Sequence, residues 1–242
     1  MLENYNFEDI LFIDIETVPQ YSRHDLLPLN FAALWEKKSG QLSRIDKFSH
    51  EDVLQPEKAY DRAGIYAEFG KVVCISTGIL RNGTFWIKSF WGDHENDVLL
   101  GFCDMMYKTR KKSINYLCAH NGKEFDFPYL IRRMLINGIE VPSILDLSGK
   151  KPWNVNHLDT MELWKFGDFK SYTSLELLAA VFGIPTPKDD INGSDVARIY
   201  WQNHDLRRIV AYCQKDVITI ANLLLRFKGQ PVLDDEAITI VP

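Results

Sequence analysis

The chain has 242 residues and a net charge of −5 at pH 7, and 46% of its residues are hydrophobic and 25% charged. This balance is typical of a soluble globular protein with a full-sized core, and it excludes a disordered, collagen-like or low-complexity chain. The negative net charge also excludes a protein that binds nucleic acid by bulk positive charge alone. Any such site must depend on local patches or on bound metal ions.

The sequence contains no segment that predicts membrane insertion or secretion. The longest near-apolar run, Leu177–Pro185, has nine residues and is too short to cross a bilayer, and the N-terminal residues are acidic and polar. The four cysteines, Cys74, Cys103, Cys118 and Cys213, form no CxxC pair, which argues against a zinc knuckle or a disulfide framework. We therefore expect a cytoplasmic protein with no membrane partner.

Hydrophobic periodicity predicts the elements of the first half of the chain. The β-branched and aromatic run 10–15 predicts a strand that Pro19 ends, and the runs 71–80 and 84–91, joined by an Asn-Gly turn, predict a β-hairpin. The elements predicted next are a helix over 93–110, a strand over 115–119 and a helix over about 127–136.

The second half is predicted to be largely helical. Residues 173–176 form a capping box, and Tyr172 and Leu177 have the spacing of a hydrophobic staple around it, so a helix should run from here to Gly183. Two more helices follow from residue 194, the second over about 205–227. This order of elements predicts an α/β fold of three layers, with a mixed central sheet flanked by helices.

We expect residues 1–242 to form a single domain with an insertion at about 20–70, between the first and second strands. The insertion contains a predicted helix over 29–38 and a polar, basic part. Its basic residues are Lys37, Lys38, Arg44 and Lys47. It is either a packed surface insertion or a lid or substrate guide near the end of the first strand.

Asp14 and Glu16 lie at the carboxyl end of the first predicted strand. Side chains two apart on a strand point to the same face, so both carboxylates should face together while Ile13 and Ile15 face the other way. Open α/β sheets bind ligands at strand ends, which favours a functional pair. A strand with one solvated face gives the same pattern, so that alternative stays open.

Two further polar segments follow the same logic. Asp126 lies beside a predicted helix N-terminus and is either a functional acid or simply the N-cap before Pro128. Nearby His120 is better explained as a hydrogen-bonded loop histidine than as a ligand. Tyr212 and Asp216, four residues apart, share one face of the last helix, where the alternative is an ordinary amphipathic helix with one polar edge.

Four carboxylates converging on one site would repel each other unless cations held them. Oxygen ligands suit Mg²⁺ or Mn²⁺, and paired ions are the usual device for displacement at phosphorus. The sequence has no GxxxxGK[ST] phosphate loop, which argues against an NTPase.

Three motifs resemble, in order, those of the DEDD family of 3′–5′ exonucleases in its tyrosine-bearing (DEDDy) branch: FIDIET at 12–17, HNGKEFDFPYL at 120–130 and YCQKD at 212–216. Residues 158–167 and 172–178 are similar to sequences of a stand-alone bacterial group related to the proofreading domain of family B DNA polymerases. The resemblance covers nearly the whole chain and implies a ribonuclease H-like fold.

The resemblance implies that two divalent cations, Mg²⁺ or Mn²⁺, are held by Asp14, Glu16, Asp126 and Asp216. Asp14 would bridge both ions, Glu16 and Asp216 would complete one site, and Asp126 would support the other. Tyr212 would orient the attacking water or take its proton.

The resemblance also implies contacts to the substrate. Thr17, Asn121 and Phe125 match positions near a 3′-terminal nucleotide. Several basic residues are either backbone contacts or solvated helix ends: Lys108, Arg110, Lys111, Lys112, Arg132, Arg133, Arg207 and Arg208.

The implied function is a two-metal 3′–5′ exonuclease that hydrolyses single-stranded DNA or unpaired 3′ ends to 5′-mononucleotides. An exoribonuclease of the same branch is an alternative, because the catalytic residues do not read the sugar. A second alternative is a non-catalytic nucleic-acid-binding or polymerase accessory module. The expected partners are nucleic acid, single-stranded DNA foremost and RNA otherwise, and a polymerase or repair protein acting in trans.

Overall fold

The computed structural model describes residues 2–45, 55–109, 114–168, 172–185 and 191–242. The strands in this part of the chain are β1 (Ile10–Pro19), β2 (Gly70–Arg81), β3 (Thr84–Trp91), β4 (Tyr116–Ala119), β5 (Leu158–Asp159) and β6 (Ile238–Val241). The α-helices are α1 (Leu29–Ile45), α2 (Pro56–Ala59), α3 (Glu95–Thr109), α4 (Asp126–Ile136), α5 (Thr160–Lys165), α6 (Leu175–Val181), α7 (Val196–Arg198) and α8 (Leu206–Phe227).

The described strands form one mixed sheet in the order β5-β4-β1-β2-β3-β6. β1 pairs antiparallel with β2 and parallel with β4, so it lies inside the sheet with a partner on each side. The predicted hairpin of β2 and β3 is confirmed, and its turn residues Asn82 and Gly83 have φ values of 50° and 79°, which an Asn-Gly pair readily adopts. The short strands β5 and β6 were not predicted.

The two faces of β1 pack against different layers of helices. Leu11, Ile13 and Ile15 belong to the buried cluster that contains residues of α3 and α4. Ile10 and Phe12 belong instead to the cluster that contains residues of α8. The predicted three-layer α/β fold with a mixed central sheet is therefore confirmed, and the side chains of β1 alternate between the layers.

The segment between β1 and β2 spans residues 20–69, close to the predicted insertion, and α1 extends beyond the predicted residue 38. The segment has a small core of its own, in which Trp35 is fully buried and its indole Nε1 donates a hydrogen bond of 2.8 Å to the Pro56 carbonyl. This core contains Leu27, Trp35, Ala59, Tyr60, Ala63 and Phe69. Predicted basic residue Lys47 and the side chain of Arg44 lie outside the described residues.

The end of the insertion is attached to α4 by buried hydrogen bonds. The Tyr129 hydroxyl donates to the Gly64 carbonyl at 2.7 Å, and Arg133 Nη1 donates to the Ala67 carbonyl at 2.7 Å. Gly70 has no room for a side chain, because a Cβ there would collide with the Tyr129 hydroxyl and the Gly64 carbonyl. The 3₁₀ segment Tyr60–Ile65 is thereby fixed beside the carboxyl end of β1.

Arg133 was a predicted candidate for contacting a nucleic-acid backbone, and this prediction is wrong. Its side chain is 4% exposed, and its guanidinium pairs with Glu95 through contacts of 2.8 and 2.5 Å. Glu95 also accepts a hydrogen bond from the Val72 amide at 2.8 Å. Candidates Arg110, Lys111 and Lys112 lie outside the described residues.

A search of the described residues for a helix long and apolar enough to span a bilayer finds none.

We expect Arg133→Ala to lower the free energy of unfolding by about 3–5 kcal/mol, because it leaves the Glu95 carboxylate buried without its counter-ion. Urea denaturation measures the change. Arg132→Ala, on the exposed neighbour in the same helix, is the matched control and should change stability by less than about 0.5 kcal/mol. Equal losses in the two variants would contradict the structural role of the ion pair.

Candidate active site

A cleft of about 730 Å³ opens at the carboxyl end of β1. The residues predicted as ligands, as catalytic residues or as substrate contacts all line it: Asp14, Glu16, Thr17, Asn121, Phe125, Asp126, Tyr212 and Asp216. They come from β1, from the segment between β4 and α4, from α4 itself and from α8. The structure therefore brings the three sequence motifs together, although their roles stay predictions.

Asp14 and Glu16 follow Phe12 on the face of β1 that is turned toward α8, as the alternation predicts. The pairing of β1 with β2 shifts register after Glu16, where Glu16 lies opposite Cys74 and Thr17 lies opposite Val72, so the extra residue belongs to β2. Residues next to each other on a regular strand face opposite sides, whereas Glu16 and Thr17 both line the cleft. Ile15 lines the cleft as well, so the end of β1 offers consecutive residues to a ligand.

Asp14, Glu16 and Cys213 each offer a potential ligand atom, and these atoms lie within 4.8 Å of one another. The Cys213 thiol donates a hydrogen bond of 3.4 Å to the Asp14 backbone carbonyl. Burial raises the pKa of Cys213 well above its usual value, so the sulfur is a neutral thiol in the metal-free protein. Cys213 therefore joins α8 to β1, a contact that the sequence did not predict.

The Asp14 carboxylate fits a divalent cation. Its Oδ2 is buried and has no hydrogen-bond partner among the described residues. Burial, followed by the charges of Asp216 and Asp126, raises the pKa of Asp14 well above its usual value. Burial and the Asp14 charge do the same to Glu16. A bound cation would satisfy the oxygen and offset the repulsion, and carboxylate oxygens are the ligands that Mg²⁺ and Mn²⁺ prefer.

Asp126 is the first residue of α4, and its side chain is 4% exposed. The N-cap of this helix is Phe125, so the alternative interpretation of Asp126 as the N-cap is wrong. Burial raises the pKa of Asp126 to about 7, although its own backbone amide acts in the opposite direction. A carboxyl group with a pKa near 7 is only partly ionised at neutral pH, and a nearby positive charge would favour its ionised form.

The loop that carries Asn121 is held by Asp159, a residue that the sequence analysis missed. The Asp159 carboxylate accepts hydrogen bonds from the backbone amides of Asn121 and Lys123, at 2.9 and 3.1 Å. It also caps α5, since it accepts from the Met161 amide at 3.0 Å. An Asp directly before a helix is a signal for an N-cap, so the sequence could have predicted that role. Its hydrogen bonds to the Asn121 and Lys123 amides depend on where the β4–α4 loop lies, which the sequence does not show.

Asn121 and His120 differ in how completely their polar atoms are bonded. Asn121 has a left-handed backbone, with φ 64°, and its buried amide oxygen has no partner among the described residues. His120 bonds through both ring nitrogens, at 2.9 Å to the Thr160 hydroxyl and 2.9 Å to the Thr173 carbonyl. The interpretation of His120 as a hydrogen-bonded loop histidine is confirmed, and burial lowers its pKa.

Tyr212 and Asp216 project from one face of α8 into the cleft, while Ile209, Val217 and Ile220 of the same helix are fully buried. Burial, then the Asp216 charge, raises the pKa of the Tyr212 phenol far above its usual value. The phenol therefore keeps its proton at neutral pH and can donate a hydrogen bond.

Tyr172 does not form the predicted hydrophobic staple. Its side chain is 71% exposed and lines the cleft, and Leu177 is 55% exposed. The N-cap of α6 is Ser174, whose hydroxyl accepts a hydrogen bond from the Leu177 amide at 3.3 Å. The staple prediction is wrong because the N-cap is Ser174 rather than Thr173, so Tyr172 and Leu177 are each one residue before the positions that a staple joins.

Comparisons with known proteins agree with this geometry. A family model described as a predicted 3′–5′ exonuclease related to the exonuclease domain of PolB matches residues 65–236. Over 147 residues the chain is 24% identical to a DNA polymerase of Pyrococcus glycovorans and 26% identical to DNA polymerase 1 of Pyrococcus abyssi. Each match covers 52% of this chain but only 19% of the polymerase.

A solved structure of the family B DNA polymerase from Pyrobaculum calidifontis has the same fold in this region. The TM-score is 0.51 at 16% sequence identity, and the match covers 90% of this chain and 24% of the polymerase chain. The predicted ribonuclease H-like fold is confirmed by this likeness together with the mixed sheet.

We expect the metal-free protein to lose stability as the pH rises from about 4 to about 7. Folded Asp126 has a pKa of about 7 against an ordinary value of 3.8, so within this window the folded state binds a proton that the unfolded chain releases. The stabilisation is complete below the window and is lost through it, on the order of 2–4 kcal/mol.

Urea denaturation in EDTA between pH 4.5 and 8 measures this slope. Asp126→Asn should reduce the slope but not remove it, because the pKa values of Asp14 and Glu16 are raised as well, and Asp104→Asn, at an exposed carboxylate on α3, should leave it unchanged. Saturating Mg²⁺ should restore stability at pH 8. A slope that survives Asp126→Asn in full would show that Asp126 does not titrate in this range.

Proposed function

Because this chain belongs to the family of predicted 3′–5′ exonucleases related to the exonuclease domain of PolB, we propose that it is a metal-dependent 3′–5′ exonuclease. It would hydrolyse single-stranded DNA or unpaired 3′ ends and release 5′-mononucleotides. The observation that carries the proposal is the convergence of four carboxylates on one cleft, with the buried Asp14 Oδ2 left without a partner among the described residues.

We propose that two divalent cations, Mg²⁺ or Mn²⁺, bind these carboxylates. Asp14 would contact both, Glu16 and Asp216 would complete one site, and Asp126 would support the other. When bound, the ions lower the pKa of the attacking water and stabilise charge at phosphorus and on the leaving oxygen. The raised pKa values of Asp14, Glu16 and Asp126 support this assignment, since each carboxylate gains most from a nearby positive charge.

Tyr212 would orient the attacking water by hydrogen bonding. Its phenol is held protonated by burial and by the neighbouring carboxylates, so a role as donor needs no further change in its pKa. A role as general base would need a large lowering of that pKa. The first role is therefore the one that the electrostatics of the cleft support.

The substrate contacts would come from Thr17, Asn121 and Phe125. Asn121 offers a buried amide oxygen without a partner among the described residues, which suits recognition of a donor on the terminal nucleotide. The Phe125 ring packs against that of Tyr129, with the ring centroids 5.3 Å apart. It would offer an aromatic surface on which a base can stack.

The function is tested with matched DNA and RNA oligonucleotides, labelled at either end, in Mg²⁺, Mn²⁺ or EDTA. We expect single strands to shorten from the 3′ end only with metal. Asp14→Asn and Asp216→Asn should lose at least ~10³-fold of the activity, because the ions supply most of the charge stabilisation. Asp104→Asn is the matched control.

Hydrolysis in EDTA, or by Asp14→Asn, would overturn the metal mechanism. Release of mononucleotides from the 5′ end would overturn the polarity. Faster cleavage of RNA than DNA would identify the exoribonuclease alternative instead.

Tyr212→Phe should lower single-turnover cleavage by roughly 10²-fold, within the usual range for one group that assists proton transfer. The ring is retained, so stability should change by only about 1 kcal/mol. Oligonucleotide affinity should stay nearly the same, because the hydroxyl acts on the water rather than on the strand. Tyr66→Phe, in the insertion, is a matched control for loss of a tyrosine hydroxyl. Cleavage by Tyr212→Phe at the wild-type rate would show that Tyr212 only packs α8.

A further inference from the structure

The insertion forms part of the wall of the candidate active site. Asp61, Arg62, Gly64 and Ile65, all from its 3₁₀ segment, line the same cleft as the four carboxylates. A Cβ at Gly64 would lie 3.0 Å from the backbone of Val18, so this segment packs directly on the end of β1. The motifs that carry the resemblance to exonucleases do not include these residues.

Hydrogen bonds from α4 and from Gln20 determine the position of this wall. The Tyr129 hydroxyl and the Arg133 guanidinium donate buried hydrogen bonds from α4 to the Gly64 and Ala67 carbonyls. Gln20 Nε2 adds a hydrogen bond of 3.3 Å to the Gly70 carbonyl. The backbone of the 3₁₀ segment, which carries the side chains presented to the cleft, is therefore held at a fixed place relative to β1.

Arg62 is a positively charged residue in a cleft that is lined mainly by negatively charged ones. Its described lining contains five carboxylates, Asp14, Glu16, Asp61, Asp126 and Asp216. Arg62 is the only Arg or Lys among the described residues that line it. A nucleic-acid strand brings one negative charge with each phosphate, and bound metal ions can neutralise charge only where the carboxylates hold them. Phosphates further along the strand need a positive charge from elsewhere.

We infer that Arg62 binds a phosphate of the substrate strand upstream of the bond that is cut. The guanidinium presents several N–H donors in a plane that matches phosphate oxygens. Ile65, three residues further on and 46% exposed, offers an apolar surface in the same cleft for a sugar or a base. A cation and an apolar side chain on one rigid turn match the two parts of a nucleotide.

This inference rests on the proposed function, and steady-state kinetics of Arg62→Gln test it. We expect the KM for a single-stranded oligonucleotide to rise roughly 5-fold with kcat within about 2-fold, because the contact is made before and during cleavage alike. The slope of log(kcat/KM) against log[salt] should become shallower by about 0.7, the value for one phosphate contact on a single strand.

Two variants serve as controls. Arg62→Lys keeps the charge and should recover most of the affinity. Arg23→Gln removes another exposed arginine of the same insertion, one that pairs with Asp25 and is not among the described residues that line the cleft, so KM and salt slope should match wild type. Thermal denaturation of each variant confirms that it is folded.

Neutral methylphosphonate linkages identify the phosphate. Placed one at a time upstream of the scissile bond, one of them should lower kcat/KM of wild type roughly 5-fold and leave that of Arg62→Gln unaffected. Wild-type KM and salt slope in Arg62→Gln, or equal sensitivity of both proteins at every position, would overturn the inference while the exonuclease function stands. A wild type that cleaves no oligonucleotide with either metal would overturn both.

Discussion

The alternation of side chains along β1 is the constraint on which the candidate site depends. This strand lies inside the sheet, with β2 on one side and β4 on the other, so its backbone cannot rotate to change which residues face each layer. Ile13 and Ile15 are packed against the α3–α4 layer, which leaves Asp14 and Glu16 facing α8. A shift of register by one residue would bury the carboxylates among apolar side chains and expose the isoleucines.

The other elements around the end of β1 add negative charge next to Asp14 and Glu16. Asp126 lies at the start of α4, and Asp216 lies on α8. Burial raises the pKa values of three of these carboxyl groups, Asp14, Glu16 and Asp126. Such an arrangement is unfavourable in the metal-free protein and persists because the surrounding packing holds it. The Cys213 thiol on the Asp14 carbonyl and the Asp159 carboxylate under the Asn121 loop are examples of that support. The proposed cation site would thus be formed before a cation binds rather than assembled on binding.

Much of the fold was predictable because its signals are local. The Asn82-Gly83 turn fixes the hairpin, and the two faces of β1 follow from its alternation. Strand β5 has only two residues and exists because it pairs with β4, a contact that no local pattern encodes. Tyr172 was misassigned because Thr173 and Ser174 are both good N-cap residues and the sequence does not show which of them begins α6. Arg62 and Ile65 carry no sequence signal of their own, and their place depends on Tyr129 and Arg133 far along the chain.

The anchoring of the insertion also bears on how a strand reaches the site. Opening this wall would leave the Tyr129 hydroxyl and the Arg133 donor without their carbonyl acceptors, at about 1–3 kcal/mol for each buried group. An open form would then be populated in roughly one molecule in thirty or fewer. The 3₁₀ segment is accordingly a stationary wall and not a gate. Under the proposed function a strand end would have to thread along this segment, so the flexibility of the nucleic acid rather than of the protein would determine which ends gain access.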